Sequence, residues 1–253
     1  MGPEVASIKQ YSALREHLKC FPYLVALVRI GRKGLRPVYS LTRFRAVRSY
    51  MHSHTIRKLQ LGAGPYCLEG WLNTDLSPIR KRSIYLNATK RFPLENDTFD
   101  YVFSEHLIEH MTYLKGMEML RECYRVLRPG GTIRIATPDL DMLIDLGKLK
   151  KSDMQKKYIK WITDTFLPGI NTYKACFVIN NAFRNYGHKF LYNGEVLQNV
   201  MEQVGFVDIE RCSPGKSKDD HLDGIESHGK AEANSEMGRF ETVVVEGHVP
   251  AKQ

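Results

Sequence analysis

The residues of this sequence best suited to chemistry are two glycines followed by a carboxylate. Gly62 and Gly64 come directly after an apolar segment at 59–61, and Asp75 ends a second apolar segment shortly afterwards. A glycine turn lets the backbone approach a ligand where a Cβ would collide, and a carboxylate can accept hydrogen bonds from two ribose hydroxyls. If both segments are strands of a parallel sheet, the pattern predicts a nucleoside site at the carboxyl edge of that sheet.

The features that this stretch lacks limit the choice among nucleoside ligands. A dinucleotide fingerprint has a third glycine, a helix that opens onto the diphosphate, and an acidic residue about 20 residues further on. Cys67 stands at the third glycine position, and Pro65 and Gly70 leave little room for a full helix before Asp75. A ligand with a ribose but no phosphate fits better, and S-adenosylmethionine (SAM) is such a ligand.

Four motifs in the same order make the sequence similar to the class I SAM-dependent methyltransferases. They are LQLGAG at 59–64, NTD at 73–75, YLNATKRFPLENDTFDYVFSEHLIEH at 85–110 and ECYRVLRPGGTIRIATPD at 122–139. The short link before GWLNTD also resembles a branch of predicted methyltransferases associated with sugar and surface-glycan biosynthesis. The resemblance implies an α/β, three-layer Rossmann-like fold with a seven-stranded sheet, and SAM as the cofactor.

The resemblance also implies which residues contact the cofactor. They are Gly62, Ala63, Gly64, Asp75, Asn87, Ala88, Ser104 and Glu105. Asn87 can donate to and accept from an adenine edge, although an ordinary loop residue would look the same. Gln60 and Tyr66 depart from the family pattern, since many members have an acidic residue and a glycine there. Glu105 or backbone carbonyls would then hold the methionine part of SAM.

Three side chains are candidates for a catalytic base. Methyl transfer from a sulfonium mainly requires in-line positioning and exclusion of water, but a hydroxyl acceptor must also lose a proton. A histidine that is neutral near pH 7 suits that role. His106, which follows a predicted strand, ranks first, His188 second and Asp139 third.

The same segment contains possible metal ligands. His106 and His110 are four residues apart, so they would share one face of a helix, with Glu109 beside them. A metal ion would need a third ligand from elsewhere in the chain, and the sequence identifies none. The sequence therefore predicts no metal site, and these residues are assigned to cofactor contact, proton transfer or helix capping.

The elements that must position these residues alternate as in an α/β protein. Strands are predicted up to Leu61 and Asp75 and at 84–86, 99–103, 132–136, 206–210 and 240–246, and helices at 107–127 and 194–204. Residues 141–192 are predicted to form a helical cap over the active site. Its aromatic residues Tyr173, Phe177, Phe183 and Tyr186 either stack on a sugar or pack inside the cap. The connection 211–239 is expected to order over the substrate.

Positive charge is concentrated near the N-terminus. Residues 1–58 hold 12 of the 37 Lys and Arg and 2 of the 28 Asp and Glu, a net charge of +10 that leaves −1 for the rest. The pattern predicts a basic, amphipathic helical extension at 1–56 before a methyltransferase domain at 57–253. Packing as a lid, attachment to an anionic membrane surface and contact with nucleic-acid phosphates remain alternatives, the last being the weakest.

Cysteine usage and hydropathy bear on location. The five cysteines are odd in number, scattered and free of C-x-x-C pairs, which favours reduced thiols. No cleavable signal peptide is recognised, and the longest apolar run, 23–28, is too short to span a bilayer. We expect a cytoplasmic enzyme, peripheral at the inner membrane surface if the extension binds lipid.

The expected reaction is SAM-dependent O-methylation of a sugar or glycan hydroxyl, with a lipid-linked acceptor if the extension reaches a membrane. An RNA or protein methyltransferase and a non-catalytic scaffold with the same fold are the alternatives. The oligomeric state does not follow from the sequence.

Overall fold

The computed structural model describes residues 36–78, 82–226 and 235–252. Most of the predicted basic extension at 1–56 lies outside the described residues.

A seven-stranded mixed sheet forms the centre of the fold. Its strands are β1 (Lys58–Leu61), β2 (Leu72–Asp75), β3 (Ile84–Tyr85), β4 (Phe99–Glu105), β5 (Leu127–Pro138), β6 (Val207–Cys212) and β7 (Thr242–His248). The spatial order is β3-β2-β1-β4-β5-β7-β6. Strands β1 to β5 pair in parallel, whereas β7 is antiparallel to both β5 and β6. The predicted sheet is confirmed, and the carboxyl ends of β1, β2, β4 and β5 share one edge.

Seven α-helices and one short 3-10 helix accompany the sheet in the described residues. They are α1 (Arg36–Ser53), the 3-10 helix (Ile108–His110), α2 (Tyr113–Val126), α3 (Leu140–Asp145), α4 (Asp153–Phe166), α5 (Ala175–Arg184), α6 (Gly194–Val204) and α7 (Ser235–Glu241). Local sequence fixes several ends: Ser152 and Gln155 form a capping box on α4, and Asn193 caps α6. Gly205, with φ of 114°, ends α6 where the sequence predicts.

The two faces of the sheet are covered differently. Successive strand residues point to opposite faces, so Val102 lies in the main core while Phe103 lies in a small cluster with Trp71 and Leu222. Helices α2 and α6 pack their apolar stripes into the main core. Residues 62–71, all described, contain no helix, as predicted, so the loop carrying Leu222 covers Phe103 instead.

The cap has a hydrophobic core of its own. Helices α3, α4, α5 and α7 contribute to it residues such as Leu143, Ile159, Val178 and Met237. The four aromatic residues singled out in the sequence, Tyr173, Phe177, Phe183 and Tyr186, are all exposed. The expectation that they pack the interior of the cap is therefore wrong. The limits of the cap and of the two domains remain predictions.

Several element boundaries differ from those predicted. Strand β5 begins at Leu127, because a register shift against β4 accommodates Gly130, whose φ is +78°. The predicted helix at 107–127 is broken, because Met111 and Thr112 adopt extended conformations between the 3-10 helix and α2. Strands β6 and β7 each lie slightly further along the chain than expected.

The connection at 211–239 also differs from expectation. In its described part Leu222 is fully buried, and Tyr101 donates its hydroxyl proton to Asp219 at 2.8 Å. This part packs on the sheet, and the C-terminal part of the connection forms α7 in the cap. The ordering of this connection over the substrate stays a prediction, and residues 227–234 lie outside the described residues.

Helix α1 packs against the main hydrophobic core. Val47, Tyr50 and Met51 lie against the main core, whereas Phe44 is 72% exposed. The Tyr50 hydroxyl accepts from the Lys58 amide at 2.8 Å and lies 3.1 Å from the Gly70 carbonyl oxygen. Within the described ranges, no helix is both long and apolar enough to cross a bilayer.

Candidate active site

The glycine turn and Asp75 form one hydrogen-bonded unit at the carboxyl edge. Gly62 and Gly64 have φ of 67° and 49°, values that side chains rarely tolerate. The amide of Gly64 donates to Asp75 Oδ2 at 3.0 Å, and the amide of Ser77 donates to Asp75 Oδ1 at 2.6 Å. The amide of Ala63 donates to the Thr74 carbonyl at 2.9 Å. Asp75 therefore supports the turn as well as being a candidate ribose acceptor.

The residues at this edge fit a nucleoside cofactor. A Cβ added at Gly64 would meet nothing within 4 Å, so the backbone faces open space there. Ser104, at the end of β4, is buried, and its hydroxyl has no hydrogen-bond partner among the described residues. A buried hydroxyl without a partner is costly, so a ligand group that pairs with it would be stabilised. Gly62, Gly64, Asp75 and Ser104 would hold the cofactor.

The other predicted cofactor residues occupy neighbouring strand ends. Asn87 accepts from the amide and hydroxyl of Thr89 at 3.0 and 2.8 Å, as an ordinary turn residue does. Ala88 packs against the main core, and Glu105 is the last residue of β4. Their contacts with SAM remain predictions.

Gln60 has a structural role that explains its departure from the family pattern. Its side-chain amide donates to the Tyr66 carbonyl at 3.0 Å, and its side-chain carbonyl accepts from the Leu68 amide at 3.2 Å. Gln60 thus holds the short link between β1 and β2, where the sequence provides no helix to do so.

His106 follows β4 in a left-handed conformation, with φ of 47°, and not on a helix. Its Nδ1 lies 3.4 Å from Glu109 Oε1, and its Nε2 lies 3.4 Å from the Thr242 hydroxyl. Burial lowers the pKa of His106, but Glu109, Glu241 and Glu105 outweigh burial and raise that pKa to about 9. A pKa raised in this way favours the protonated imidazole at pH 7.

Two carboxylates favour this charge, one from fully buried Glu109 and one from partly buried Glu241. Glu109 is fully buried and accepts from the Thr137 hydroxyl at 3.0 Å. Although burial alone would raise the pKa of Glu109, the contact with His106 lowers it. Glu241 accepts from the Tyr158 hydroxyl at 2.5 Å, and burial raises its pKa. Sequence reasoning missed Glu241, because a glutamate near the start of the predicted strand at 240–246 looks like a surface residue.

His188 reaches the same edge from the far end of the cap. The amides of Lys189 and Phe190 both donate to the Glu109 carbonyl, at 2.7 and 3.2 Å, which draws this segment to the 3-10 helix. The ring centroids of His188 and His110 are 5.0 Å apart. Burial lowers the pKa of His188, so its imidazole is neutral at pH 7. We call Glu109, His110 and His188 the edge cluster.

Asp139 has a capping role. Its Oδ1 accepts from the Asp141 amide at 3.0 Å, which caps α3, and burial raises its pKa. Of the three candidate bases, the structure brings His106 and His188 to Glu109. Which residue acts as the base remains a prediction.

Comparison with known proteins agrees with this geometry. Residues 74–135, from the end of β2 into β5, match the family described as "Methyltransferase domain". No curated protein sequence matches the chain. The family match covers less than half of the chain. Together with the parallel sheet, its antiparallel β7 and the glycine turn, it supports a SAM-dependent methyltransferase.

Solved structures with a similar chain path include three such enzymes. A SAM-dependent methyltransferase from Archaeoglobus fulgidus is 15% identical, with 87% of this chain and 99% of that chain covered and a TM-score of 0.47. One from Mesorhizobium loti is 16% identical, with 81% and 96% covered and a TM-score of 0.45. A possible histamine N-methyltransferase from Thermotoga maritima is 17% identical, with 85% and 97% covered and a TM-score of 0.44. With TM-scores below 0.5, these three structures carry no evidence beyond the family match and the strand order.

Proposed function

We propose that this methyltransferase transfers the methyl group of SAM to a hydroxyl group of a sugar or glycan. The observation that carries the proposal is an exposed aromatic surface beside the edge cluster. Tyr186, 39% exposed, lies with its ring centroid 5.5 Å from that of His188. Sugars commonly place an apolar face on such a ring and direct their hydroxyls towards nearby polar groups.

The position of Tyr186 is fixed by the cap. Its hydroxyl accepts a hydrogen bond from the Asn181 side chain at 2.8 Å, and its ring packs edge-on against Phe166 at 5.9 Å between centroids. An aromatic ring held in this way loses little conformational entropy when a ligand stacks on it. A sugar on Tyr186 would have its hydroxyls near His188.

The proposed reaction transfers one methyl group to the acceptor hydroxyl and releases one proton. Bound SAM supplies a methyl group on a positively charged sulfur. The acceptor oxygen forms a bond to the methyl carbon, while the carbon–sulfur bond breaks and its electron pair stays on sulfur. The hydroxyl proton leaves towards the edge cluster, whose His110 is partly open to solvent, with 39% of its side chain exposed. The products are a methyl ether, S-adenosylhomocysteine and a proton.

The proposal extends to partner and location. Arg45 and Arg48 on α1 are exposed, and residues 1–35 add further basic side chains. These charges suit an anionic membrane surface, where each would contribute about 1 kcal/mol. A lipid-linked acceptor at the cytoplasmic side of a membrane would then be brought to the enzyme. RNA or protein methylation is the alternative outcome of the test below.

The test is methyl transfer from radiolabelled SAM to a panel of nucleotide sugars, short glycans, RNA and protein. We expect label in the sugar fraction, and mass spectrometry should show a methyl ether. Tyr186→Ala should raise the KM for the sugar at least tenfold, whereas Tyr173→Ala, an exposed aromatic held on α4 by Asp164, should not. Label only in RNA or protein would refute the sugar proposal, and failure to bind SAM would indicate a scaffold.

A further inference from the structure

The edge cluster has a geometry that suits a metal ion. It consists of Glu109, His110 and His188. One ligand atom from each residue lies within 4.8 Å of the other two. His110 Nε2 is 4.0 Å from Glu109 Oε1. Ligands bonded to one ion at about 2.1 Å lie roughly 3–4 Å apart, so small side-chain rotations would bring all three atoms onto a single ion.

Glu109 supplies an oxygen that needs a partner. Its Oε2 accepts from Thr137, but its Oε1 is buried and has no hydrogen-bond partner within the part of the chain that the structure describes. The imidazole of His106, whose Nδ1 is 3.4 Å away, is a counter-charge at longer range. A buried carboxylate oxygen without a hydrogen bond is costly, and coordination of a cation would remove that cost.

His188 is oriented as a metal ligand would be. Its Nδ1 lies 2.7 Å from the Ala182 carbonyl oxygen. A carbonyl oxygen only accepts, so Nδ1 carries the proton and Nε2 presents its lone pair. Histidines that bind metals characteristically donate the other ring N–H to a carbonyl or carboxylate, which fixes the ring and its tautomer. The backbone bonds from Lys189 and Phe190 to Glu109 hold this histidine beside the carboxylate.

A second group of possible ligands makes a useful contrast. Glu210, Cys212 and Glu246 also lie within 4.8 Å of one another. However, Glu246 is paired with buried Arg134, and Glu210 is paired with Lys218 at 2.6 Å. Those carboxylates are held by an arginine or a lysine at hydrogen-bonding distance. Glu109 Oε1, by contrast, makes no hydrogen bond among the described residues, and its charged neighbour His106 lies 3.4 Å away.

We propose that the edge cluster binds one divalent transition-metal ion through Glu109, His110 and His188. Two imidazoles and one carboxylate suit zinc, manganese, iron or cobalt better than calcium or magnesium, and three protein ligands leave a position open. This site supplies the third ligand that the sequence did not identify, and it revises the prediction of no metal.

The role of the ion rests on the proposed function. The cluster begins two residues after Leu107, whose side chain would contact a Cβ at Gly62 at 3.0 Å, so it adjoins the cofactor turn. An ion there would bind the acceptor hydroxyl, lower the pKa of that hydroxyl and hold its oxygen in place for attack on the methyl carbon. The proton would then pass to solvent.

The experiment uses the full-length protein, freed of metal with EDTA and titrated with cobalt chloride and then zinc chloride. Cobalt absorption and equilibrium dialysis measure binding, and SAM affinity reports whether each variant is folded. We expect about one cobalt per chain, displaced by zinc. His110→Gln and His188→Gln should each weaken binding by more than about 100-fold. The control His52→Gln, an exposed histidine on α1, should bind as the wild type does.

The possible results separate the metal site, the proposed function and the catalytic role of the ion. Absence of cobalt binding, or equal binding by all four proteins, would overturn the proposal and leave Glu109 as the counter-charge of His106. Cobalt bound at the cluster without any sugar methylation would keep the metal site and refute the proposed function. Full sugar methylation by the metal-free protein would keep the proposed function and overturn the catalytic role of the ion.

Discussion

Replacing Asp75 by alanine separates the two roles that the structure gives this residue. The carboxylate accepts hydrogen bonds from the amides of Gly64 and Ser77, and it is the candidate acceptor for the ribose hydroxyls. Each backbone bond is worth about 1 kcal/mol, so Asp75→Ala should lower the free energy of unfolding by about 2 kcal/mol. Loss of a charged ribose acceptor should cost about another 2 kcal/mol of SAM binding, which is roughly a 30-fold rise in Kd.

Asp75→Asn separates the loss of stability from the loss of SAM binding. Its single side-chain carbonyl can replace one of the two backbone contacts, so we expect about half the loss in unfolding free energy. The amide cannot replace the charge, and SAM binding should still weaken by at least about tenfold. Calorimetry gives the Kd for SAM, and urea unfolding gives the stability. Asp97→Asn is the control, because Asp97 is an exposed loop residue with φ of 50°, a conformation that asparagine tolerates.

One result would refute this reasoning. If both Asp75 variants lose stability as expected but bind SAM as tightly as the wild type does, Asp75 only supports the turn. The ribose would then have to be held by other groups at this edge.

Two further predictions concern charges away from the site. Arg134 is fully buried between Glu246 and Glu226, so Arg134→Met leaves carboxylates without a counter-charge and should lower the unfolding free energy by about 3–5 kcal/mol in urea melts. Adding Glu246→Gln should restore part of that loss, and equal stability of all three proteins would contradict the pairing. Burial alone would raise the pKa of Glu122, but its contacts with Arg125 and the Phe92 amide lower it. The pair therefore stabilises the fold fully above the ordinary glutamate pKa, and this contribution disappears as pH falls through the lower folded value. The stability advantage of the wild type over Glu122→Gln, from urea melts at several pH values, should shrink below about pH 4. An advantage that does not change with pH would argue against the shift.

Local signals account for what the sequence predicted. Apolar runs followed by Gly62 or ending in Asp75 depend on residues close together in the chain, and so does the helix predicted at 194–204. The absence of a helix between β1 and β2 could also be predicted, because Pro65 and Gly70 lie within that short stretch. The sheet order then followed from the resemblance to a known fold.

The active-site polar network could not be predicted, because it depends on contacts between distant segments. The left-handed backbone at His106 breaks the helical pattern and turns that residue towards Thr242, far along the chain. His188 reaches Glu109 only because two backbone amides of the cap bind the Glu109 carbonyl. The charge of His106 likewise depends on Glu241, which no local pattern connects with it.

The packing of Leu107 beneath Gly62 has a kinetic consequence. Leu107 lies between the glycine turn and the residues that follow it, Ile108, Glu109 and His110. If SAM shifts the turn, Leu107 would pass that shift to the edge cluster, where the proposed acceptor would bind. Such coupling favours a compulsory order of binding, in which the cofactor enters first and S-adenosylhomocysteine leaves last. Product-inhibition patterns would then show S-adenosylhomocysteine competing with SAM but not with the acceptor.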